Sequence, residues 1–325
     1  MRATLREPTW IGVDIGGTKT AVVLCAQPPK ILVRVEFPTL PEQGPERALQ
    51  LIKKTIHELI RSHREDIGKL EAIGVSCGGP LDRIAGIIQA PPNLSTWVDV
   101  PICSMLEQEF SLKCRLENDA NAGAIAEYRF GAGQRTQHMV FLPMGTGLGA
   151  GIIADGRLYH GASDLAGEIG HFRLSRSGPT GHNKAGSVEG WASGGGIAVT
   201  ARREVTAAIS KGIPTSMARL GRNGTLSAKD VAEAAHGGDK LARRIIRNTG
   251  TRLGEALAIL VDVLNPEVIV IGGLAMRLGE SLLAPARRVL DDEALAASAR
   301  ACRIVPAALG EEIGDIAAIC VAMGF

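Results

Sequence analysis

Twice along this chain a run of strand-forming residues breaks at a glycine–threonine turn and doubles back as a second strand. The first instance is residues 10–14, the turn Gly16-Gly17-Thr18, and residues 20–25; the second is residues 139–144, the turn Gly145-Thr146-Gly147, and residues 148–154. A third apolar run at 31–37 completes an antiparallel meander in the first half. Between the meanders, residues 45–64 place Leu49, Ile52, Ile56, Leu59 and Ile60 on one helical face. A strand at 72–76, a short extended segment at 87–89, the stiff loop Pro91-Pro92-Asn93-Leu94, a helix at 103–110, a strand at 113–117 and a helix at 120–130 follow. Beyond the second meander the pattern is mostly helical, at 197–210, 227–235 and 240–264, with a buried strand at 268–271, a last strand at 304–306 and a closing helix at 313–323. One device used once per half, with crossover helices, predicts an α/β protein of two similar lobes with a cleft between them.

The 325 residues suffice for two cores, and with aromatic residues at only 3% those cores must be built from Val, Ile, Leu and Ala. A formal charge of +2, without a dense Lys/Arg run, leaves no footprint for nucleic acid. Cys25, Cys77, Cys103, Cys114, Cys302 and Cys320 form no Cys-x-x-Cys pair and read as reduced, buried thiols. No secretory leader pattern precedes the first apolar run, and the apolar region 256–273 is broken by Asp262, Asn265, Pro266 and Glu267, so no membrane span is expected and the compartment is the cytoplasm.

The turn Asp14-Ile15-Gly16-Gly17-Thr18 exposes backbone N–H groups with no Cβ in the way, as a phosphate chain requires. Thr18 adds a hydroxyl, Asp14 can hold a Mg2+ through water, and Lys19 either reaches phosphate or is a solvated turn residue. A plain hairpin would use the same residue types. The second turn, Gly145-Thr146-Gly147-Leu148-Gly149, tips the reading toward two phosphate grips. In Glu117-Asn118-Asp119-Ala120-Asn121, Asn118 or Asp119 can cap the following helix, yet four polar residues in five exceed what a cap needs. A carboxylate at a strand-to-helix junction can take a hydroxyl proton during phosphoryl transfer. In Gly167-Glu168-Ile169-Gly170-His171, the acid and the imidazole can bond vicinal hydroxyls, or His171 can ligate a metal. Glu189 stands near a helix start, and Gly272-Gly273 after a buried strand admits a flat ligand against backbone.

Together these segments resemble the ROK family (repressor, open reading frame, kinase) of the actin/hexokinase-like ATPase superfamily, in order and over nearly the whole chain. Asp14-Ile15-Gly16-Gly17-Thr18-Lys19 matches the first phosphate motif and Gly145-Thr146-Gly147-Leu148-Gly149-Ala150-Gly151 the second. Gly78-Gly79-Pro80-Leu81-Asp82 stands where the family has Gly-x-Pro-Gly, with Leu81 replacing the last glycine. Pro92-Asn93-Leu94 with Trp97 and Val100-Pro101 matches the sugar-binding loop, Asn118-Asp119-Ala120-Asn121 the catalytic segment, and Glu168-Ile169-Gly170-His171 the Glu-x-Gly-His signature. The resemblance implies two actin-like (ribonuclease H-like) lobes: residues 1–118, closed by a returning helix at 308–325, and residues 119–307. It implies a homodimeric ATP-dependent hexose kinase with Asp119 as base. Gly79, Asn93, Asn118, Glu168, His171 and Glu189 would surround the sugar, with Glu168 lying away from both phosphate turns. Asp14, Gly16, Gly17, Thr18, Lys19, Gly145, Thr146 and Gly147 would hold ATP and Mg2+, and Gly272 and Gly273 would border the adenosine.

One departure stands out. Relatives carry a Cys-x-Cys-Gly-x-x-Gly-Cys zinc segment after the Glu-x-Gly-His motif, whereas residues 175–189 here contain no cysteine. His171 and His182 alone do not make a tetrahedral site, so no structural zinc is expected. The family's repressors carry a helix-turn-helix domain ahead of the first motif, and the early position of Asp14 leads us to expect a kinase instead. A polyphosphate-using glucokinase and a sugar sensor without catalysis are the alternatives. Which hexose is used is not legible in these motifs.

Overall fold

Alternating Val, Ile and Leu residues send side chains to both faces of a five-stranded sheet near the start of the chain. The computed structural model describes residues 7–325. The strands are β1 (Thr9–Ile15), β2 (Lys19–Cys25), β3 (Val33–Pro38), β4 (Leu70–Cys77) and β5 (Lys113–Asn118), in the order β3-β2-β1-β4-β5. β1 pairs antiparallel with β2, and β2 with β3; β1 pairs parallel with β4, and β4 with β5. Ile11, Val13, Ile15, Val22 and Leu24 join one core with Leu49, Ile52 and Ile56 of helix α1 (Pro45–Ser62) and Leu106 of helix α2 (Ile102–Phe110). The helix Ile313–Met323 packs on β1 and β4. A Cβ at Gly74 in β4 would fall 2.1 Å from the Ala318 carbonyl oxygen, so only glycine admits that helix at this depth.

The remaining strands form a second sheet with the same plan. β6 (Met139–Met144), β7 (Gly151–Ala154), β8 (Arg157–Leu158), β9 (Val268–Gly273) and β10 (Arg303–Pro306) lie in the order β8-β7-β6-β9-β10. The three meander strands are again antiparallel and the two added strands parallel. Val140, Leu142, Ile269 and Ile271 pack with Ile197 and Val205 of helix α5 (Gly194–Ser210), which follows the short α4 (Val188–Ala192). Leu253 and Leu257 of α6 (Lys240–Leu264) and Leu282 and Leu290 of α7 (Glu280–Glu293) complete that core. The duplication read from two turns therefore extends to two whole sheets.

Several boundaries differ from those expected. The chain divides into one unit of the residues up to Phe130 plus Glu311–Phe325 and another of Gly131–Gly310, where the sequence reading cut at 118/119 and 307/308. The reason is helix α3 (Asp119–Phe130), which packs against the helix Ile313–Met323 and so stays with the first sheet. β7 begins at Gly151, not at 148, and Leu148 makes only an isolated bridge to Met144. α5 begins three residues before the expected 197, because Ser193 caps it through Gly196 N–H and offsets its glycine run. α7 was not foreseen, since it carries Pro285 inside. All six cysteines are buried and unpaired. Among the described residues no helix is long and apolar enough to cross a membrane.

Candidate active site

In the first unit the turn between β1 and β2 closes with Gly16 N–H donating to the Lys19 carbonyl at 3.0 Å. Thr39 ties it from the side. Its hydroxyl donates to the Gly16 carbonyl at 2.7 Å and its N–H to the Thr18 carbonyl at 3.1 Å. Thr18 and Lys19 are exposed. The Lys19 ammonium pairs with Glu36 at 2.8 Å, so in this structure it is a surface ion pair. Asp14 sits at the end of β1, opposite Ser76 in the parallel register with β4. Burial pushes its carboxyl up to about 7; the negative charges of Asp119 and Asp315 add to this, while the Ser76 hydroxyl and the Arg34 guanidinium oppose it. The start of the helix Ile313–Met323 abuts the same group: a Cβ at Gly314 would fall 2.3 Å from Asp14 Oδ2.

At the junction of β5 and α3, capping and chemistry are divided among neighbours. Asn118 Oδ1 accepts from the N–H groups of Ala120 at 3.0 Å and Asn121 at 3.4 Å, and Asp119 Oδ1 accepts from Ala120 N–H at 2.8 Å. The buried Glu117 takes the Asn118 N–H and the Asn121 amide, each at 3.0 Å. Asp119 itself is exposed. The loop after β4 lies against this pair: a Cβ at Gly79 would come 3.3 Å from Asn118 Nδ2, and one at Gly78 3.8 Å from Asp119 Oδ2. Asn93 lies on the first turn, since a Cβ at Gly17 would fall 2.6 Å from Asn93 Cβ. Burial pushes the Cys77 thiol up, and the negative charges of Asp119 and then Asp14 add to this, so both acids lie near that residue. The first unit thus gathers Asp14, Gly16, Gly17, Gly79, Asn93, Asn118 and Asp119 around the ends of β1, β4 and β5.

In the second unit the turn after β6 leaves Gly145, Thr146 and Gly147 exposed, and it is held from behind by a helix. Gly194 and Gly195, the first residues of α5, donate their N–H groups to the carbonyls of Gly145 at 2.8 Å and Thr146 at 3.0 Å. Gly272 and Gly273 pair with Pro143 and Met144 through the β6–β9 register, so the pair expected beside adenosine neighbours the second turn. Glu189, in the first turn of α4, reaches the same place: its Oε2 accepts Leu148 N–H at 3.2 Å. The segment 167–170 runs against residues 148–150, where a Cβ at Gly167 would meet the Ala150 carbonyl at 1.9 Å and one at Gly170 the Leu148 carbonyl at 2.2 Å. The expectation that Glu168 lies away from both turns is therefore corrected, because its segment is backbone-packed on the residues after the second one.

Residues 175–189 are closed by side chains of other kinds than thiolates. His182 Nε2 lies 2.9 Å from Glu189 Oε2, and its ring stacks on His171 at 4.2 Å between centroids and 22° between planes. His171 Nε2 is 3.8 Å from Glu168 Oε2. Trp191 Nε1 donates to Ser175 Oγ at 3.0 Å, and the Ser187 hydroxyl donates to the Gly181 carbonyl at 3.3 Å. Among the described residues no three His, Cys, Asp or Glu side chains gather as a metal site. Thr39 has no role in the sequence reading, and His182 figures there only as an imidazole beside His171, not as the neighbour of Glu189. Thr39 carries no local signal, whereas the dipeptide His182-Asn183 in a glycine-rich stretch could have been read as a two-residue hairpin turn.

Residues 10–323 match the model of the ROK family. A glucokinase of Halalkalibacterium halodurans is 33% identical over 309 residues, covering 94% of this chain and 92% of that protein. A xylose repressor of Caldicellulosiruptor bescii is 26% identical over 288 residues, 88% of this chain and 71% of the repressor. Among solved structures, a ROK family glucokinase from Streptomyces griseus in complex with glucose and AMPPNP aligns with a TM-score of 0.79 and 31% identity, over 98% of this chain and 100% of that one.

Proposed function

We propose that this chain, which belongs to the ROK family, is a sugar kinase that moves the γ-phosphoryl group of ATP onto a hydroxyl of glucose or a related hexose. The observation that carries the reading is the β5–α3 junction. Asp119 stands exposed there on a helix start fixed by Asn118 and Glu117, beside the loop that carries Gly79. A carboxylate held that way can accept the proton of an attacking hydroxyl without reorganising. As the hydroxyl oxygen bonds to the γ-phosphorus, the bond from that phosphorus to the β–γ bridging oxygen breaks and ADP leaves, while the proton passes to Asp119. Each turn offers phosphate oxygens the N–H of its second glycine, Gly17 or Gly147, with the hydroxyl of Thr18 or Thr146, since the N–H groups of Gly16 and Gly145 are spent on carbonyls inside their own turns. Mg2+ fits this acid pair, because Asp14 is a desolvated carboxyl facing a second carboxylate, and when bound with the nucleotide it would neutralise phosphate charge.

ATP is favoured over polyphosphate because the Streptomyces griseus relative was solved with AMPPNP, an ATP analogue. A structural zinc is not part of the proposal, since the stacked rings of His171 and His182 turn their faces, not their nitrogens, to each other. Elemental analysis should find no stoichiometric zinc, and one zinc per chain would overturn that point. The deciding experiment is a matrix of hexoses against ATP and polyphosphate, read as ADP release and sugar phosphate formed. ATP-dependent turnover of at least one hexose is expected. Sugar binding without turnover from either donor would leave a sugar-binding sensor without catalysis.

A further inference from the structure

Glu189 is held by one of its two carboxylate oxygens. Oε2 accepts Leu148 N–H at 3.2 Å and faces His182 Nε2 at 2.9 Å, whereas Oε1 has no hydrogen-bond partner among the described residues. The stem of Glu189 runs between two glycines. A Cβ at Gly181 would fall 2.9 Å from Glu189 Cβ, and one at Gly170 3.4 Å from the same atom. The acid is therefore walled in along its length and open at a single oxygen.

His182 reaches this acid by an unusual backbone. It forms, with Asn183, the turn between the two-residue strands Thr180–Gly181 and Lys184–Ala185, and both turn residues have positive φ, +47° and +57°. That is the conformation a two-residue hairpin demands, and His and Asn tolerate it better than most residues. The ring plane is then fixed by stacking on His171. The carboxylate can only accept, so any hydrogen shared across this 2.9 Å approach is carried by Nε2.

We propose that His182 is the positioning residue of Glu189: with Leu148 N–H it locks Oε2, so that Oε1 is presented to accept a hydrogen bond from a sugar hydroxyl. This rests on the sugar-kinase reading for the identity of the ligand. A hairpin tip that merely closed the loop would need no donor at this position, and Asn, Gly or Asp would serve the turn as well. Loss of the lock frees a side chain that must be ordered again on binding.

The test is a comparison of His182→Ala with His182→Gln, whose amide nitrogen can stand near the position of Nε2. Binding is measured by calorimetry with whichever of glucose, mannose, fructose, glucosamine or N-acetylglucosamine the wild type binds most tightly. His182→Ala should weaken that sugar by about 10-fold, equivalent to about 1.4 kcal/mol, and raise its KM in parallel while the ATP KM moves less than about twofold. His182→Gln should recover most of the loss. In a Glu189→Gln background, His182→Ala should add little, because the group it positions is already changed. Equal losses for Ala and Gln, additive losses in the double mutant, or a sugar constant within about twofold of wild type for His182→Ala would each overturn the proposal. The readout is binding, so a wild type that binds the sugar without phosphorylating it would sink the kinase reading and leave this comparison to stand or fall by itself.

Discussion

The turn between β1 and β2 and the turn after β6 occupy the same station in sheets of the same strand order, but they are braced by different means. The first is tied by the hydroxyl and N–H of Thr39, and an acid, Asp14, stands two residues before its first glycine. The second is tied by the first N–H groups of α5 and by Glu189, and Pro143 stands where Asp14 would be. The backbone device is shared, whereas the charge is not. Asp14 and Asp119 both lie in the first unit, close enough that the charge of Asp119 adds to the burial that raises Asp14. In the second unit the acid nearest the turn is used to hold the turn and, on our reading, to meet a sugar. On our proposal the proton and cation chemistry falls to the acids of the first copy, while the second copy adds acids that brace its turn and meet the sugar.

The sharpest way to break that division is to remove each copy's acid and compare the parameter that moves. Asp119→Asn keeps the acceptor oxygen and the size of the side chain but cannot take a proton. Its turnover number should fall by about 10²–10⁴ with sugar binding retained. Steady-state kinetics check this, and retention of more than about a tenth of wild-type turnover would be too much for the loss of a general base. Glu168→Ala, in the second unit, should instead raise the sugar KM by about 10-fold, the worth of one charge-assisted hydrogen bond. Since its segment packs on residues 148–150, an equal rise in the ATP KM would show that it acts through the turn.

Asp14 makes the asymmetry visible in stability. Its carboxyl is raised from 3.8 to about 7 in the fold, so between those pH values the folded chain keeps a proton that the unfolded chain has lost. Stability is then greatest below about pH 4, declines as pH rises toward 7, and levels off above it, by up to about 4 kcal/mol for a shift of this size. Asp14→Asn removes that loss. Thermal unfolding without divalent cations should find the variant more stable than wild type at pH 8, by about 1–4 kcal/mol, and nearly equal to it at pH 4. A wild type whose stability is flat between pH 4 and 8 would show that Asp14 is not desolvated in this way.

What could be read in the sequence follows the same line between frame and brace. Both meanders, α1, α3, α6 and the closing helix were legible because period-2 and period-3.6 apolar patterns are local. Asp119 and the two turns were legible because glycine and acid stand out at strand ends. The unit boundary was not, because whether α3 belongs to the first or second sheet depends on its packing against a helix nearly two hundred residues further on. Lys19 read as a phosphate ligand, yet its partner Glu36 comes from β3, which the turn alone does not reveal. The position of Glu189 is of the same kind: a first-turn acid by sequence, a brace on the Leu148 N–H only once the segments meet. α7 was hidden by the proline it tolerates.

The smallest expected effect separates the two braces themselves. Thr39→Val removes the hydroxyl that holds the Gly16 carbonyl and bonds the buried Thr20 hydroxyl, but keeps the N–H bond to Thr18 and the side-chain volume, so the first turn loosens without losing its register. Ser193→Ala removes the cap that accepts Gly196 N–H, at a cost of about 1 kcal/mol to α5, and α5 is what holds Gly145 and Thr146. If both turns grip phosphate through backbone N–H groups, each variant should raise the ATP KM by about threefold and leave the sugar KM within about twofold, as expected when one neutral hydrogen bond of about 0.5–1.5 kcal/mol is lost from a supporting position. If only Thr39→Val moves the ATP constant, the second turn is not a phosphate grip, and the functional symmetry of the two hairpins ends at their backbone.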